Sequence, residues 1–250
     1  MTVSRLTTPE GRLIAYRKFE GRAPGPGLIW LSGFKSDMQG GKVLALEAWA
    51  KEREQAFLAF DYSGHGESEG AFADGTISAW REDTLAALDA LTEGPQILVG
   101  SSMGGWLALL AAQARPDRVA GLVLIAPAPD FTEKLMWPKL SQAAQVEIVD
   151  TGVHLQPSEY GEPVPITRQL IEDGKQWQLL DGPIAFTGPV RILQGMVDLD
   201  VPWTHAQQLV STLTTTDLAF TLIKDGDHRL SRDQDITRLI ATCDEVLRSI

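Results

Sequence analysis

The chain has 250 residues, 44% of them hydrophobic, enough to bury one large core. Its formal charge of −11 is spread along the sequence in mixed acidic and basic stretches, which disfavours nucleic acid and anionic membrane as partners. Cys243 is the only cysteine, so an intramolecular disulfide and a cysteine-rich zinc site are excluded.

Residues 3–7 and 12–19 are polar and alternating, and predict an antiparallel edge pair. Apolar runs at 28–32, 56–60, 96–100, 119–126, 190–194 and 218–223 then predict six buried parallel strands. Amphipathic or apolar helices are expected between and after them at 40–53, 76–92, 103–115, 204–213 and 233–248. Strand and helix alternate, so the expected fold is α/β, a mostly parallel eight-stranded sheet with helices on both faces. One domain over 1–250 is expected, interrupted between Pro127 and Pro189, where six further prolines punctuate short amphipathic pieces. A connection that long inside a compact α/β domain is usually functional, so 128–188 is read as an inserted lid over the carboxyl ends of the strands. No stretch approaches the ~18 apolar residues of a membrane span. The first ten residues lack the basic start and apolar run of a signal peptide, and the expected location is therefore cytoplasmic. Oligomeric state is not encoded in any recognisable pattern.

Gly-x-Ser-x-Gly occurs twice, at Gly100–Gly104 and Gly66–Gly70, and the pattern alone is weak. Context separates the two. A nucleophile elbow needs a strand entering, a helix leaving and small neighbours that let the two approach. Only the first match has these, with the run 96–99 before it, Gly100, Gly104 and Gly105 around it, and an apolar helix after it. Ser102 is the candidate nucleophile, Ser101 supports the turn, and Ser68 belongs to a charged loop.

A serine hydroxyl needs an imidazole to take its proton and a carboxylate to orient that imidazole, in the chain order Ser, Asp or Glu, His. His228 follows the last strand and is the candidate base; His65 precedes the nucleophile and is read as bracing the turn after its strand, while His154 and His205 fall in the insertion and at a helix start. Asp198 is the candidate acid, favoured over Asp200 because it lies nearer the strand end. Backbone N–H groups of Met103, at a helix start, and of Phe34, in Ser32-Gly33-Phe34-Lys35, are the candidate oxyanion donors. Met136, Trp137 and Trp177, with Phe131 and Leu135, are candidates to line an acyl pocket, against the plainer reading of ordinary packing.

These segments, together with Asp61-Tyr62-Ser63-Gly64-His65-Gly66-Glu67-Ser68, Gly195-Met196-Val197-Asp198 and Asp227-His228-Arg229, resemble the successive motifs of the α/β-hydrolase fold. Several resemble more closely the branch of mitochondrial palmitoyl-protein thioesterases and acyl-glucuronide esterases and their bacterial counterparts, whereas the insertion matches less distinctly. The resemblance implies Ser102, Asp198 and His228 as a triad, a small-molecule acyl ester or thioester substrate, and neither metal nor organic cofactor. Rival readings keep the triad but act as a carboxylesterase, lactonase or peptidase, or bind ligand without turning it over.

Overall fold

The computed structural model describes residues 2–157 and 162–250. Ten strands are present among them: β1 (Ser4–Thr7), β2 (Leu13–Phe19), β3 (Gly27–Leu31), β4 (Phe57–Phe60), β5 (Gln96–Ser101), β6 (Val119–Ile125), β7 (Val153–Gln156), β8 (Val164–Thr167), β9 (Val190–Gly195) and β10 (Leu218–Ile223). The α-helices are α1 (Gly41–Glu52), α2 (Ile77–Leu91), α3 (Met103–Ala114), α4 (Gln142–Thr151), α5 (Arg168–Gly174), α6 (Trp203–Thr212) and α7 (Asp233–Ser249). Eight strands form one sheet in the order β1-β2-β4-β3-β5-β6-β9-β10, antiparallel at the β1-β2-β4 edge and parallel elsewhere.

Strands β3, β4 and β6 are apolar along their whole length because both sheet faces are covered. In β5 the alternation is explicit: Ile97 and Val99 pack with Val43, Leu46 and Ala50 of α1 and with Leu239, Cys243 and Val246 of α7. Leu98 packs on the other face with Ile77 and Trp80 of α2, with most of α3, and with Ala206 and Leu209 of α6. Helix α3 is buried from Met103 to Ala112, which accounts for its being apolar all round.

Close packing of α3 depends on missing β-carbons. A Cβ on Gly104 would sit 2.7 Å from the Ser32 carbonyl oxygen and closer still to that of Leu31, and a Cβ on Gly100 would strike the Gly104 carbonyl. The N-terminus of α3 is thereby pressed against the ends of β3 and β5.

The long connection after β6 contains α4, α5 and an antiparallel hairpin of β7 with β8. The proline punctuation did not signal that hairpin. Pro165 is tolerated in it, paired with Leu155, because a two-stranded ribbon has free edges. The two ends of the segment are tied together by Asp130, fully buried and in a left-handed conformation (φ 58°). Its carboxylate accepts the backbone N–H groups of Leu179 (2.8 Å) and Leu180 (2.9 Å). Lys139 donates to the carbonyls of Leu199 and Asp200, both at 2.9 Å, so the segment rests on the loop that follows β9.

Gly104→Ala is expected to destabilise the protein by about 3 kcal/mol, as overpacking against rigid backbone does. Gly41→Ala, where a Cβ meets open space, should be neutral or stabilising by up to about 1 kcal/mol. Urea midpoints of the two variants check the contrast.

Candidate active site

Ser102 stands between the end of β5 and the start of α3, with φ 54° and ψ −117°. A non-glycine residue there costs on the order of 1–3 kcal/mol and persists only when its surroundings hold it. Here its N–H continues the sheet ladder to the Ile125 carbonyl (2.9 Å), while its own carbonyl accepts the N–H of Gly105 (2.9 Å) and of Ala128 (3.1 Å). The main chain is fixed at both ends, and the half-buried side chain projects above the carboxyl edge of the sheet.

His228 and Asp198 meet because the loops after β10 and β9 touch. Gly195 pairs with Ile223 at the ends of the two strands, and a Cβ on Gly195 would collide with the Gly226 carbonyl. Val197 N–H donates to that carbonyl (3.0 Å), and the Asp227 carboxylate caps the next turn by accepting the Leu230 N–H (2.9 Å). The result is a continuous chain of contacts: His228 Nδ1 is 2.8 Å from Asp198 Oδ2, and His228 Nε2 is 3.1 Å from Ser102 Oγ.

The Asp198 side chain is fully buried, and every acceptor position it offers is used. Oδ1 accepts the N–H groups of Asp200 (2.9 Å) and Val201 (2.8 Å); Oδ2 accepts Gln194 Nε2 (3.0 Å) besides His228. Burial alone would raise the carboxyl pKa, but the hydrogen bond and charge of His228, with those of Val201 and Gln194, together bring it below the usual range. Asp200 is exposed and contributes its backbone N–H to Asp198. Gln194, fully buried at the end of β9, was not anticipated as a site residue. A primary amide at the carboxyl end of a buried strand was the available signal.

The Met103 and Phe34 N–H groups donate to no protein acceptor among the described residues. A Cβ on Gly33 would lie 3.4 Å from Ser102 Cβ, so the loop carrying Phe34 runs directly against the serine. The Phe34 ring contacts Phe72, Trp80 and Phe131 at centroid distances of 5.0, 5.9 and 5.5 Å. Met136 and Trp137 join Phe34 in a cluster with Ile148, Ile166 and Ile171, an apolar group between the inserted segment and the loop after β3. A cavity of about 300 Å³ borders that loop and Ser101, with a mixed lining that includes Trp30, Val43, Ser32, Asp37, Lys42 and Arg229. Burial there lowers the Lys42 pKa to about 8.

Trp177 departs from its expected place. Its indole N–H donates to Ser78 Oγ (2.8 Å), Arg81 lies 4.5 Å from its ring, and its carbonyl accepts the Trp106 indole N–H (3.1 Å). It borders a groove of about 280 Å³ with Leu110, Gln113 and Ala114, on the order of 12–18 Å along α3 from Ser102. Its large apolar surface therefore anchors the end of the insertion on α2 and α3.

The other histidines are engaged elsewhere. His154 pairs with Glu147 (2.7 Å), and His205 Nε2 lies 2.8 Å from the Pro129 carbonyl. Asp198, Asp200 and His228 bring possible ligand atoms within 4.8 Å of one another. The four N–H contacts on Asp198 and the orientation of His228 Nε2 toward Ser102 account for this donor set through hydrogen bonding.

The model of the family described as "Serine aminopeptidase, S33" matches residues 39–170. The rat mitochondrial palmitoyl-protein thioesterase ABHD10 is 40% identical over 248 residues, covering 98% of this chain and 82% of its own length; the human counterpart is 38% identical over the same span, with 80% of its length covered. Among solved structures, a putative hydrolase from Agrobacterium vitis S4 is 45% identical with TM-score 0.92, covering 98% of both chains. Mouse α/β-hydrolase domain-containing protein 10 is 39% identical with TM-score 0.90, covering 100% of this chain and 99% of that one. The expected cytoplasmic location is corrected by these relatives, since the mammalian proteins matched along 98% of the chain are named as mitochondrial. By fold, motif order and these likenesses, the chain belongs to the α/β-hydrolase family of ester- and thioester-cleaving serine hydrolases.

Proposed function

We propose that Ser102, His228 and Asp198 act as one catalytic unit on an acyl thioester or ester whose acyl chain is apolar. The observation that carries this reading is the unbroken hydrogen-bonded sequence Ser102 Oγ to His228 Nε2 and His228 Nδ1 to Asp198 Oδ2. In the first step Ser102 Oγ attacks the acyl carbonyl carbon while His228 Nε2 takes its proton. The carbonyl oxygen becomes an oxyanion facing the N–H groups of Met103 and Phe34. Collapse of the tetrahedral intermediate breaks the bond to the thiol or alcohol, which leaves with the proton from His228. Water then enters, gives its proton to His228 and attacks the acyl-enzyme; the acid departs and Ser102 regains its hydrogen.

Asp198 stays ionised throughout, holding the Nδ1–H tautomer and stabilising the imidazolium. Its depressed pKa supports that role. We read residues 128–188 as the lid within a single domain. Phe34, Met136 and Trp137 offer the apolar surface for the acyl chain. The thioester preference rests on the names of the mammalian relatives, described as palmitoyl-protein thioesterases.

Ser102→Ala is expected to lose about six orders of magnitude in turnover and all labelling by a fluorophosphonate probe; an alanine variant with near-normal turnover overturns the reading. Asp198→Asn should lose about 10⁴-fold in kcat, whereas Asp200→Asn, which retains its backbone donor, should stay within a few-fold of the parent. Initial rates on one ester at saturating substrate separate the two carboxylates. A chain-length series of acyl thioesters and esters, with an amide and a lactone alongside, tests the substrate class. Trp137→Ala should shift the preferred chain length, while Trp177→Ala should lower thermal stability and leave chain-length preference unchanged.

A further inference from the structure

The segment Asp61–His65, which follows β4, contributes nothing to the triad, yet it is the part of the molecule that shapes the loop after β3. Three of its side chains reach that loop in order. The Tyr62 hydroxyl donates to the Ser32 carbonyl (3.2 Å), the Lys35 N–H donates to His65 Nε2 (3.2 Å), and the Met38 N–H donates to Asp61 Oδ1 (2.7 Å). The loop is therefore pinned at its start, middle and end by one neighbouring turn. The middle contact is the critical one, because Lys35 is left-handed (φ 58°) and directly follows Phe34.

The state of His65 is set by its surroundings. Nδ1 lies 3.3 Å from the Ser63 carbonyl, so Nδ1 carries the hydrogen and Nε2 is left as the acceptor. The ring is enclosed edge-on by Tyr62, Phe72 and Trp80, with centroids 5.6, 5.0 and 5.1 Å away. Burial is the main cause that keeps the imidazole neutral, lowering its pKa to about 4; the ammonium of Lys35 adds to this, while the hydrogen bond to the Ser63 carbonyl and the charge of Asp37 oppose it. A protonated ring would aim a second N–H at the Lys35 N–H and break the contact.

We propose that His65 is a positioning residue for catalysis: as a neutral hydrogen-bond acceptor it holds the 34–35 peptide, and thereby the Phe34 N–H, in the orientation that receives the oxyanion. The proposal rests on the oxyanion role given to Phe34 above. Without the acceptor, the left-handed Lys35 relies on the turn closed by the Ser36 N–H on the Gly33 carbonyl (3.1 Å), and rotation of the adjoining peptides carries the Phe34 N–H away from Ser102. Losing one oxyanion donor lowers kcat by about 10²–10³-fold.

His65→Phe retains the aromatic packing and removes the acceptor. It should lower kcat for a p-nitrophenyl ester by about 10²-fold with KM within about threefold. It should also weaken, in the same proportion, an alkylboronic acid that forms a tetrahedral adduct on Ser102. His65→Gln, whose amide oxygen supplies an acceptor, should recover at least tenfold of the lost kcat. Far-ultraviolet circular dichroism and thermal melting establish that each variant is folded. In the unaltered protein, long-range proton–nitrogen NMR should show the Nδ1–H tautomer of His65 down to pH 5. A folded His65→Phe with parental kcat, a loss confined to KM, or an Nε2–H tautomer overturns the proposal. Should His65→Phe not fold, the kcat of His65→Gln against the parent's, read with the tautomer, decides it. Inactive Ser102→Ala together with fully active His65→Phe refutes this inference alone; active Ser102→Ala refutes the triad beneath it.

Discussion

The arrangement depends on one steric constraint, the contact between the first turn of α3 and the ends of β3 and β5. Gly100 and Gly104 have no β-carbons, so backbone meets backbone there, and the turn between strand and helix becomes too tight for an ordinary conformation. Ser102 occupies the strained position and is held by main-chain bonds to Ile125, Gly105 and Ala128. In the proposed mechanism, the same contact aims a helix N-terminus at the place where negative charge develops during acyl transfer. The strain at Ser102 and the nucleophilic and electrostatic roles proposed for this turn thus share a single packing contact.

A second backbone contact does for Asp198 and His228, the proposed acid and base, what the first does for Ser102. Gly195 against Gly226 lets the loops after β9 and β10 approach, and the N–H groups of Asp200 and Val201 with the Gln194 amide fix Asp198 from three sides. A carboxylate so saturated has no rotational freedom left, and the imidazole inherits its orientation. This division of labour separates charge from geometry: few side chains react, and many neutral dipoles hold them.

The β-strands and main helices were legible in the sequence because their driving force is local in pattern. Buried parallel strands must be apolar throughout, and the elbow around Ser102 carries its glycines in the primary structure. Chain order and strand ends restrict the proposed acid and base to a few residues, and the two chosen, Asp198 and His228, lie 2.8 Å apart. The contacts that hold the site were not legible. His65 was read as bracing its own turn, and nothing in the local sequence reports that its ring reaches Lys35, a residue on another strand's loop. Trp177 illustrates the opposite error: a large aromatic in an insertion suggests a pocket wall, but only tertiary packing reveals that Ser78 and Arg81 already occupy it. The hairpin of β7 and β8 was hidden because prolines, which normally argue against strands, are harmless in an isolated ribbon.

The Asp130 carboxylate, which gathers the peptide groups of Leu179 and Leu180, has a consequence for how such enzymes diversify. The two points where the excursion leaves and rejoins the sheet are joined to each other without reference to what lies between. Closure of that loop is thus already secured at its base, and the entropic penalty for altering its interior grows only slowly with length. Apart from anchoring residues such as Lys139 and Trp177, residues within it can change while strand register, the turn at Ser102 and the His228 ring stay where they are. On the proposed reading of the excursion as a lid, selectivity for the acyl group and competence for hydrolysis are separable traits of one polypeptide.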